Sequence, residues 1–505
     1  MNPGPLTLCL ALAVGDVLAA PASAAPTPAE LALVNRVTWG VNADSAAAIA
    51  RMGADRWLER QLHPSADDRL PPPVAAEIQA MPMLQTPLIG LVMGAEQQRK
   101  EAVALTDPDA KKAALDDYNK ALNAAARQAI NRSILRDIYS QNQLQEQMTW
   151  FWFNHFNVHA SKANLRVMVG DYEDRALRPH ALGRFRDLLE ATLRHPAMLR
   201  YLDNAENAAG RINENYAREI MELHTMGVGS GYSQKDVQEL ARILTGVGID
   251  ARPLPPRIGP AHTGDLIRDG IFEFNPNRHD YGDKIFLGHV IRGRGFGEAE
   301  EALDILAAQP ATARHISKEL AIYFVSDDPP ESLVRPMAAM FEASHGDIAK
   351  VLRVMFHSPE FRASLGTKFK DPAHYVISAL RLTYHDTPIE NAAPAQGWMN
   401  RLAEGLYGHE TPDGYPMIAA AWNGPGQMET RFEVARAIAS GGGGLFKPDV
   451  PGAVDRPARP ALQPIVNDEG LAAGLAGPTR AALSQAVSPA DWNTLYLSSP
   501  DFMRR

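Results

Sequence analysis

Residues 109–139, DAKKAALDDYNKALNAAARQAINRSILRDIY, are the stretch that decides the fold class. They are rich in Ala, Lys, Leu and Arg, which favour helices, and they contain few residues that break one. This composition predicts one long helix or a helical hairpin. A helical scaffold is therefore the starting hypothesis for the whole chain.

The segments on either side continue the helical pattern. Upstream, Thr27 can cap a helix that has Pro28 at its first position and Glu30 at its third. Downstream, Asn142 can cap a helix with apolar residues at helical spacing up to His155. Further helices are predicted over residues 184–193, 214–226, 234–244, 298–308, 311–325, 336–344 and 348–356.

Strand-like alternation is scarce between these helices. The longest irregular region is residues 246–297, where the runs 270–274 and 284–290 are expected to form a hairpin. The predicted fold class is mainly α: a large multi-helix domain with long irregular loops and at most a small β-hairpin. Residues 25–440 are expected to form this single helical domain.

The two ends of the chain have different compositions. Residues 1–24 resemble a secretory signal peptide, with an apolar run from Leu6 to Leu18 and the small-residue site Ala22-Ser23-Ala24. Residues 441–505 begin with four glycines and are expected to form a Gly/Pro-rich linker followed by short C-terminal helices. The expected location is therefore periplasmic or secreted.

Composition excludes several classes of function. The formal net charge of -9 argues against a nucleic-acid partner, because binding phosphates requires clustered Lys and Arg. Cys9 is the only cysteine and lies in the signal segment, so a mature chain would have neither a Cys nucleophile nor Cys-ligated metal. No later stretch has the roughly 20 apolar residues of a transmembrane helix, so none is expected after signal cleavage.

Several motifs occur in a fixed order along the chain. They are Phe151-Trp152-Phe153-Asn154-His155-Phe156, Pro196-Ala197-Met198-Leu199-Arg200-Tyr201-Leu202-Asp203, Asn213-Glu214-Asn215-Tyr216-Ala217-Arg218-Glu219-Ile220-Met221-Glu222-Leu223-His224, His279-Asp280-Tyr281-Gly282-Asp283-Lys284, Lys368-Phe369-Lys370-Asp371-Pro372 and Trp422-Asn423. Together they resemble a bacterial family labelled domain of unknown function 1800, from about Arg36 to Ala439 with a further piece at 497–504. The resemblance implies an exported protein, and it brings no agreed reaction and no assigned catalytic residues.

The third motif holds the main catalytic candidates. Glu214, Arg218 and Glu222 repeat at i, i+4 and i+8, and Glu219 lies on an adjoining face. Arg218 could keep one glutamate ionised while another, without a partner, has a raised pKa and acts as an acid. The alternative is a solvated ladder of ion pairs worth about 0.2–0.5 kcal/mol each. Substrate-binding candidates in the same motif are Asn213, Tyr216 and His224.

Three other segments offer polar or aromatic groups for substrate binding. Trp152 could stack on sugar rings and His155 could bind substrate or metal; the alternative is that this block is core. His279 and Asp280 form an adjacent pair in the long loop, for which turn chemistry is the alternative. Asp203 lies close in sequence to the Asn213 segment, and helix capping is its alternative.

Elimination then favours carboxylate chemistry. The sequence has no G-x-S-x-G elbow, no P-loop, no H-E-x-x-H and no dinucleotide fingerprint. The preferred hypothesis is an exported hydrolase or lyase that acts on an extracellular or envelope polysaccharide through acid/base carboxylates, with no cofactor. A second is a divalent-metal enzyme with Glu219, Glu222, His155 and Asp280 as ligands. A third is a non-catalytic helical binding or assembly protein.

Overall fold

The computed structural model describes residues 25–448 and 452–505. Helices contain 60% of the chain and strands 4%, so the fold is mainly α, as the sequence predicts. The predicted signal peptide, residues 1–24, lies outside the described residues. In the part of the chain that the structure describes, each helix is too short or too polar to span a bilayer.

The α-helices follow one another along the chain and are joined mostly by short loops. Those of the first half are α1 (Pro28–Val37), α2 (Ala43–Met52), α3 (Ala54–Leu62), α4 (Pro72–Gln79), α5 (Pro82–Gln85), α6 (Leu88–Ala104), α7 (Pro108–Tyr139), α8 (Gln143–His155), α9 (Val169–Asp171), α10 (Phe185–Arg194), α11 (Pro196–Tyr201) and α12 (Asn215–Glu222). Those of the second half are α13 (Gln234–Ile243), α14 (Gly297–Ala307), α15 (Pro310–Phe324), α16 (Glu331–Ala343), α17 (Ile348–Phe356), α18 (Pro359–Ser364), α19 (Pro372–Tyr384), α20 (Ala393–Arg401), α21 (Pro425–Ala439), α22 (Leu462–Asp468), α23 (Gly477–Leu483) and α24 (Pro489–Leu497). Short 3-10 turns and one π-helical turn, Tyr172–Leu177, complete the helical part of the described chain.

The sequence signals at the first helices mostly match the observed ends. Thr27 and Glu30 form a capping box, with the Thr27 backbone N–H donating to the Glu30 carboxylate over 2.8 Å. Residues 109–139 lie in one continuous helix of 32 residues, α7, which excludes the helical hairpin. Asn142 occupies the cap position of α8, but its side chain bonds the backbone of Ser65 instead of the helix.

Two small antiparallel sheets lie in the long irregular region. β1 (Val247–Ile249) and β2 (Ile267–Asp269) flank β3 (Phe272–Phe274), while β4 (Lys284–Phe286) pairs with β5 (His289–Ile291). The predicted hairpin between residues 270–274 and 284–290 is therefore wrong. The second run turns back on itself, because Leu287 and Gly288 both have positive φ (48° and 81°), as a tight hairpin turn requires.

Two helices form the centre of the core. Every residue of α19 is buried, and so are eleven of the thirteen residues of α8. Polar groups on these helices are therefore paired internally: Arg381 of α19 donates to the carbonyls of Gly40 and Asp137 over 3.0 and 3.3 Å. The remaining helices surround this pair, with α7, α20 and α21 packing on α19.

The last residues of the chain pack against the first helix. Phe369 and Arg504 form an antiparallel bridge, and the Lys370 N–H donates to the carbonyl of Met503 over 2.9 Å. Buried Arg36 of α1 donates to the carbonyl of Phe324 over 2.6 Å and also to the carbonyl of Arg505. Residues 503–505 thus join α1, α15 and the segment before α19. The domain boundary predicted at residue 440 stays a prediction.

Candidate functional site

The helix with the main catalytic candidates is α12, and it is shorter than predicted. It covers Asn215–Glu222 instead of 214–226, with Glu214 at its cap position. The backbone N–H groups of Leu223 and His224 both bond the carbonyl of Glu219, so the chain leaves the helix in a widened turn. Gly227, at φ +86°, then turns the backbone away.

The two faces of α12 have opposite character. Tyr216, Ala217, Ile220 and Met221 are buried. The charged side chains of the motif lie on the other face and are partly exposed, at 36% for Arg218, 32% for Glu214 and 26% for Glu222. The helix therefore presents its carboxylates at the protein surface, where each of them is partly shielded from water.

Arg218 divides these carboxylates into two kinds. Its guanidinium bonds Glu214 over 3.2 Å and Glu222 over 3.4 Å, the i,i+4 ladder that the sequence contains. Within residues 25–448 and 452–505, Glu219 forms no salt bridge. Burial raises the pKa of Glu219, and the charges of Glu222 and Asp413 raise it further. The surroundings of Glu219 thus favour the protonated form of its carboxyl group.

Two groups beside these carboxylates were not found from the sequence. Tyr232 follows α12 in a glycine-rich loop, and burial together with the Glu222 carboxylate raises the pKa of its phenol to about 12. Asp413 comes from the loop after α20, and its charge raises the pKa of both Glu219 and Tyr201. At Tyr201 burial is the main cause, and together with the charges of Asp413 and Glu219 it raises the pKa of the phenol to about 12. Only tertiary structure brings Asp413 to α12, so no local motif could have indicated it.

Asp203 lies on the other side of Tyr201. Its carboxylate accepts a hydrogen bond from Lys162 over 2.8 Å, and Lys162 also bonds the carbonyl of Tyr201 over 2.5 Å. Asn213 contacts the Asp203 backbone, with its amide 3.4 Å from the carbonyl. The side chain of Asp203 caps no helix. Asp203 and Asn213 therefore adjoin the start of α12, as the site hypothesis required.

An elongated groove begins at Asp203. A cleft of about 880 Å³ is lined by Asp203, Glu206 and Arg278, among others. A second cleft of about 1190 Å³ shares Arg200 and Ile249 with the first and extends to α6. The two clefts together form a continuous surface channel that leads away from α12.

Two aromatic residues proposed as stacking surfaces are in the core instead. Trp152 is fully buried, and its indole N–H donates to the carbonyl of Ala181 over 2.8 Å. Tyr216 is 1% exposed. Because α8 passes through the centre of the domain and α12 buries one face, both rings contact protein on all sides. The substrate-binding role predicted for Trp152 and Tyr216 is therefore corrected.

His155 and His224 do meet, beneath the end of α12. His155 bonds the carbonyl of His224 over 3.1 Å, and the two rings are 5.8 Å apart. His315 of α15, which the sequence analysis missed, bonds the carbonyl of Leu223 over 3.1 Å. Burial, and then the neighbouring His315, lowers the pKa of His224 to about 3. The three histidines support α12 from below, and the buried His224 offers no surface to a substrate.

The predicted loop pair belongs to another cluster. Buried His279 bonds Glu298 over 2.8 Å, and Glu298 also bonds Lys284 over 2.5 Å, with all three side chains 0% exposed. Asp280 pairs with Arg242 of α13 over 2.8 Å. None of these partners is on α12. His279 and Asp280 therefore do not join the acidic face of α12 in one substrate site, because they fasten the loop to α13 and α14.

The proposed set of metal ligands is not assembled. His155 bonds a backbone carbonyl and Asp280 bonds Arg242, so the two do not converge with Glu219 and Glu222. Across the described ranges of the chain, no group of three or more His, Cys, Asp or Glu side chains is placed to hold a metal ion. The donor geometry therefore provides no support for the metal alternative.

Comparison with known proteins places the chain in a family without naming an activity. No curated protein and no solved structure matches the sequence. The model of the family described as "Protein of unknown function (DUF1800)" matches residues 32–504, which is nearly the whole described chain. The protein is therefore a member of the DUF1800 family.

Proposed function

We propose that this protein is a hydrolase or lyase that acts on a polysaccharide, with Glu219 as its proton donor. The observation that carries the proposal is the division of carboxylates on α12. Arg218 pairs with Glu214 and Glu222, whereas Glu219 has no salt bridge in the described chain and has a raised pKa. A carboxyl group with a raised pKa beside a second carboxyl group that pairs with an arginine is similar to the acid and carboxylate pair that cleaves a glycosidic bond.

Each group then has a definite role in the proposed reaction. Glu219 gives its proton to the oxygen of the leaving sugar. Glu222, which pairs with Arg218, activates a water or attacks the sugar in hydrolysis, and removes a carbon-bound proton in elimination. Tyr232 lies beside Glu222 and provides a partly exposed ring for a sugar face.

The shape of the surface favours a polymer over a small molecule. The groove runs from Asp203 past Arg200 to α6, so it extends well beyond the acidic face of α12. Lys162, Asp203 and Asn213 connect the groove to α12. The proposed location, periplasm or exterior, depends on the signal-like residues 1–24 and agrees with such a substrate.

The test compares three carboxylate variants on a panel of neutral and uronate-containing polysaccharides. Glu219→Gln should lower kcat by about 10²–10⁴-fold, the usual contribution of a general acid. Glu222→Gln should lower it as strongly. Glu433→Gln removes an exposed carboxylate that pairs with Arg401 on α20, far from these groups in sequence, and should leave kcat unchanged. New reducing ends without unsaturated sugars would identify hydrolysis, and unsaturated products would identify elimination.

Other results would support the other hypotheses. Folded Glu219→Gln and Glu222→Gln variants that keep full biological activity would contradict our proposal and favour a binding or assembly protein. The metal hypothesis stays a prediction that elemental analysis of the purified protein tests. If the protein contains stoichiometric metal and loses its activity when the metal is removed, a metal-dependent mechanism would replace carboxylate catalysis.

A further inference from the structure

A pocket of about 730 Å³ lies between α1, α19 and the C-terminal segment, away from the acidic surface of α12. Its lining is largely apolar and includes Leu31, Leu382, Tyr496 and Phe502. Polar side chains also line it, namely Asn35, Lys370, Ser378, Asp501 and Arg504, of which Lys370 and Ser378 are buried. A buried lysine amine is unusual in the lining of a largely apolar cavity whose role is only structural.

Lys370 lacks the partner that buried lysines normally have. It is 2% exposed, and its Nζ lies 3.0 Å from the hydroxyl oxygen of Ser378 and 4.0 Å from the centre of the Phe502 ring. It forms no salt bridge with any described residue. Lys368, two residues earlier and also buried, instead bonds the carboxylate of Asp327 over 2.5 Å. The chain thus supplies its own comparison between a paired and an unpaired buried lysine.

The charges around Lys370 oppose its protonation. Burial lowers its pKa well below the ordinary value, and the guanidinium groups of Arg505 and Arg431 lower it further. Asp371 acts in the other direction but with less effect. The nearby His374 carries no charge at neutral pH, since burial and Arg505 lower its pKa to about 4. Relative to an exposed lysine, Lys370 therefore has its neutral amine form favoured over the ammonium form.

We propose that Lys370 is a nucleophile that forms an imine with an apolar aldehyde or ketone bound in this pocket. The lone pair of Nζ attacks the carbonyl carbon, and the carbonyl π electrons move to oxygen. Two protons pass from nitrogen to that oxygen, which leaves as water, and a C=N bond forms. One amine and one carbonyl yield one imine and one water, so no oxidant or reductant is required.

Ser378 acts as a positioning residue. Its hydroxyl donates to the carbonyl of Tyr375 over 3.1 Å, so its oxygen is left to accept from the amine. That arrangement favours the lysine over the serine as nucleophile. The leucines and aromatic rings of the lining then select a carbonyl compound with an apolar chain.

The experiment treats the intact protein with hexanal and sodium cyanoborohydride, which reduces an imine to a stable secondary amine, and maps the adducts by peptide mass spectrometry. An exposed lysine is neutral in fewer than about one molecule in a thousand at pH 7. We therefore expect faster labelling at Lys370 than at exposed Lys112 and Lys235. This advantage should shrink as the pH approaches about 10.4, where exposed lysines also lose their protons.

Matched variants and a second probe complete the test. Lys368→Arg should keep the fast adduct, and Lys370→Arg should lose it. Labelling of Lys370 no faster than Lys112 and Lys235 in the folded wild-type protein would overturn the proposal, and this comparison within one sample does not depend on any variant folding. Equal labelling by hexanal and the polar glycolaldehyde would overturn the preference for an apolar ligand.

Discussion

Glu298 is the residue whose removal should damage the fold most clearly. Its carboxylate is completely buried and accepts hydrogen bonds from His279 and Lys284 over 2.8 and 2.5 Å. It also accepts from the backbone N–H groups of Arg294 and Gly295 over 2.7 and 3.1 Å. One side chain thus holds together α14, β4 and two loop segments.

The change Glu298→Gln should lower the free energy of unfolding by about 3–5 kcal/mol. Removing one member of a buried ion pair leaves the other charge without compensation, which costs about that amount. The new amide group would also point N–H donors at the ammonium of Lys284. Because domains of ordinary size are stable by only about 5–15 kcal/mol, the variant should unfold at markedly lower denaturant concentration.

The assay is denaturant unfolding followed by far-ultraviolet circular dichroism. Glu301→Gln, on the same helix, is the matched control, since Glu301 is 32% exposed and pairs with exposed Arg294. It should cost less than about 1 kcal/mol. Adding Lys284→Met to Glu298→Gln should recover part of the loss, because it removes the uncompensated charge. A cost below about 1 kcal/mol for Glu298→Gln would refute the reasoning.

Three further predictions concern pH and backbone geometry. Because the folded-state pKa of Lys370 is lowered, the unfolded state binds more protons, so this group should make wild-type stability rise with pH between its folded and unfolded pKa values, by at most about 1.4 kcal/mol per pH unit; Lys370→Met should remove that slope in unfolding measured across pH. The folded-state pKa of Glu219 is raised, so its contribution to the free energy of unfolding is fully present below the unfolded pKa of 4.5 and is lost as the pH rises through the folded pKa. The melting temperature of Glu219→Gln should therefore rise relative to that of the wild type as the pH increases. Gly414→Ala should lower the melting temperature, because Gly414 has φ +72° and a Cβ there would lie 2.2 Å from the carbonyl oxygen of Asn154, whereas Gly424→Ala, which meets nothing within 4 Å, should be close to neutral.

Local signals predicted much of the helical scaffold. The capping box at Thr27 and the breaker-free stretch before Tyr139 act within a few residues, so both were visible in the sequence. The same holds for the spacing of Glu214, Arg218 and Glu222 on α12. Where propensity and spacing act locally, the structure follows them.

The misses share a different physical cause. Asp413 and His315 reach α12 only through packing between distant segments, and Tyr232 reaches it through an irregular loop, neither of which periodicity can reveal. Trp152 was ambiguous for the same reason, since an aromatic residue on a helix has the same spacing in a core as at a ligand surface. The hairpin expected between residues 270–274 and 284–290 does not form, because positive-φ turns at Gly270 and at Leu287-Gly288 lie within the runs that were expected to meet.

The contact between α1 and residues 503–505 can form only after the last residues of the chain have been synthesised. Arg36 obtains the carbonyl of Arg505 as an acceptor only after more than 460 intervening residues have been made. Closing so large a loop is entropically expensive, and folds dominated by such distant contacts form slowly. During synthesis α19, whose residues are all buried in the finished fold, emerges before α21, which packs on it, and before residues 503–505. Exposed apolar surface on such a nascent chain favours aggregation, so we expect its folding to depend on a chaperone.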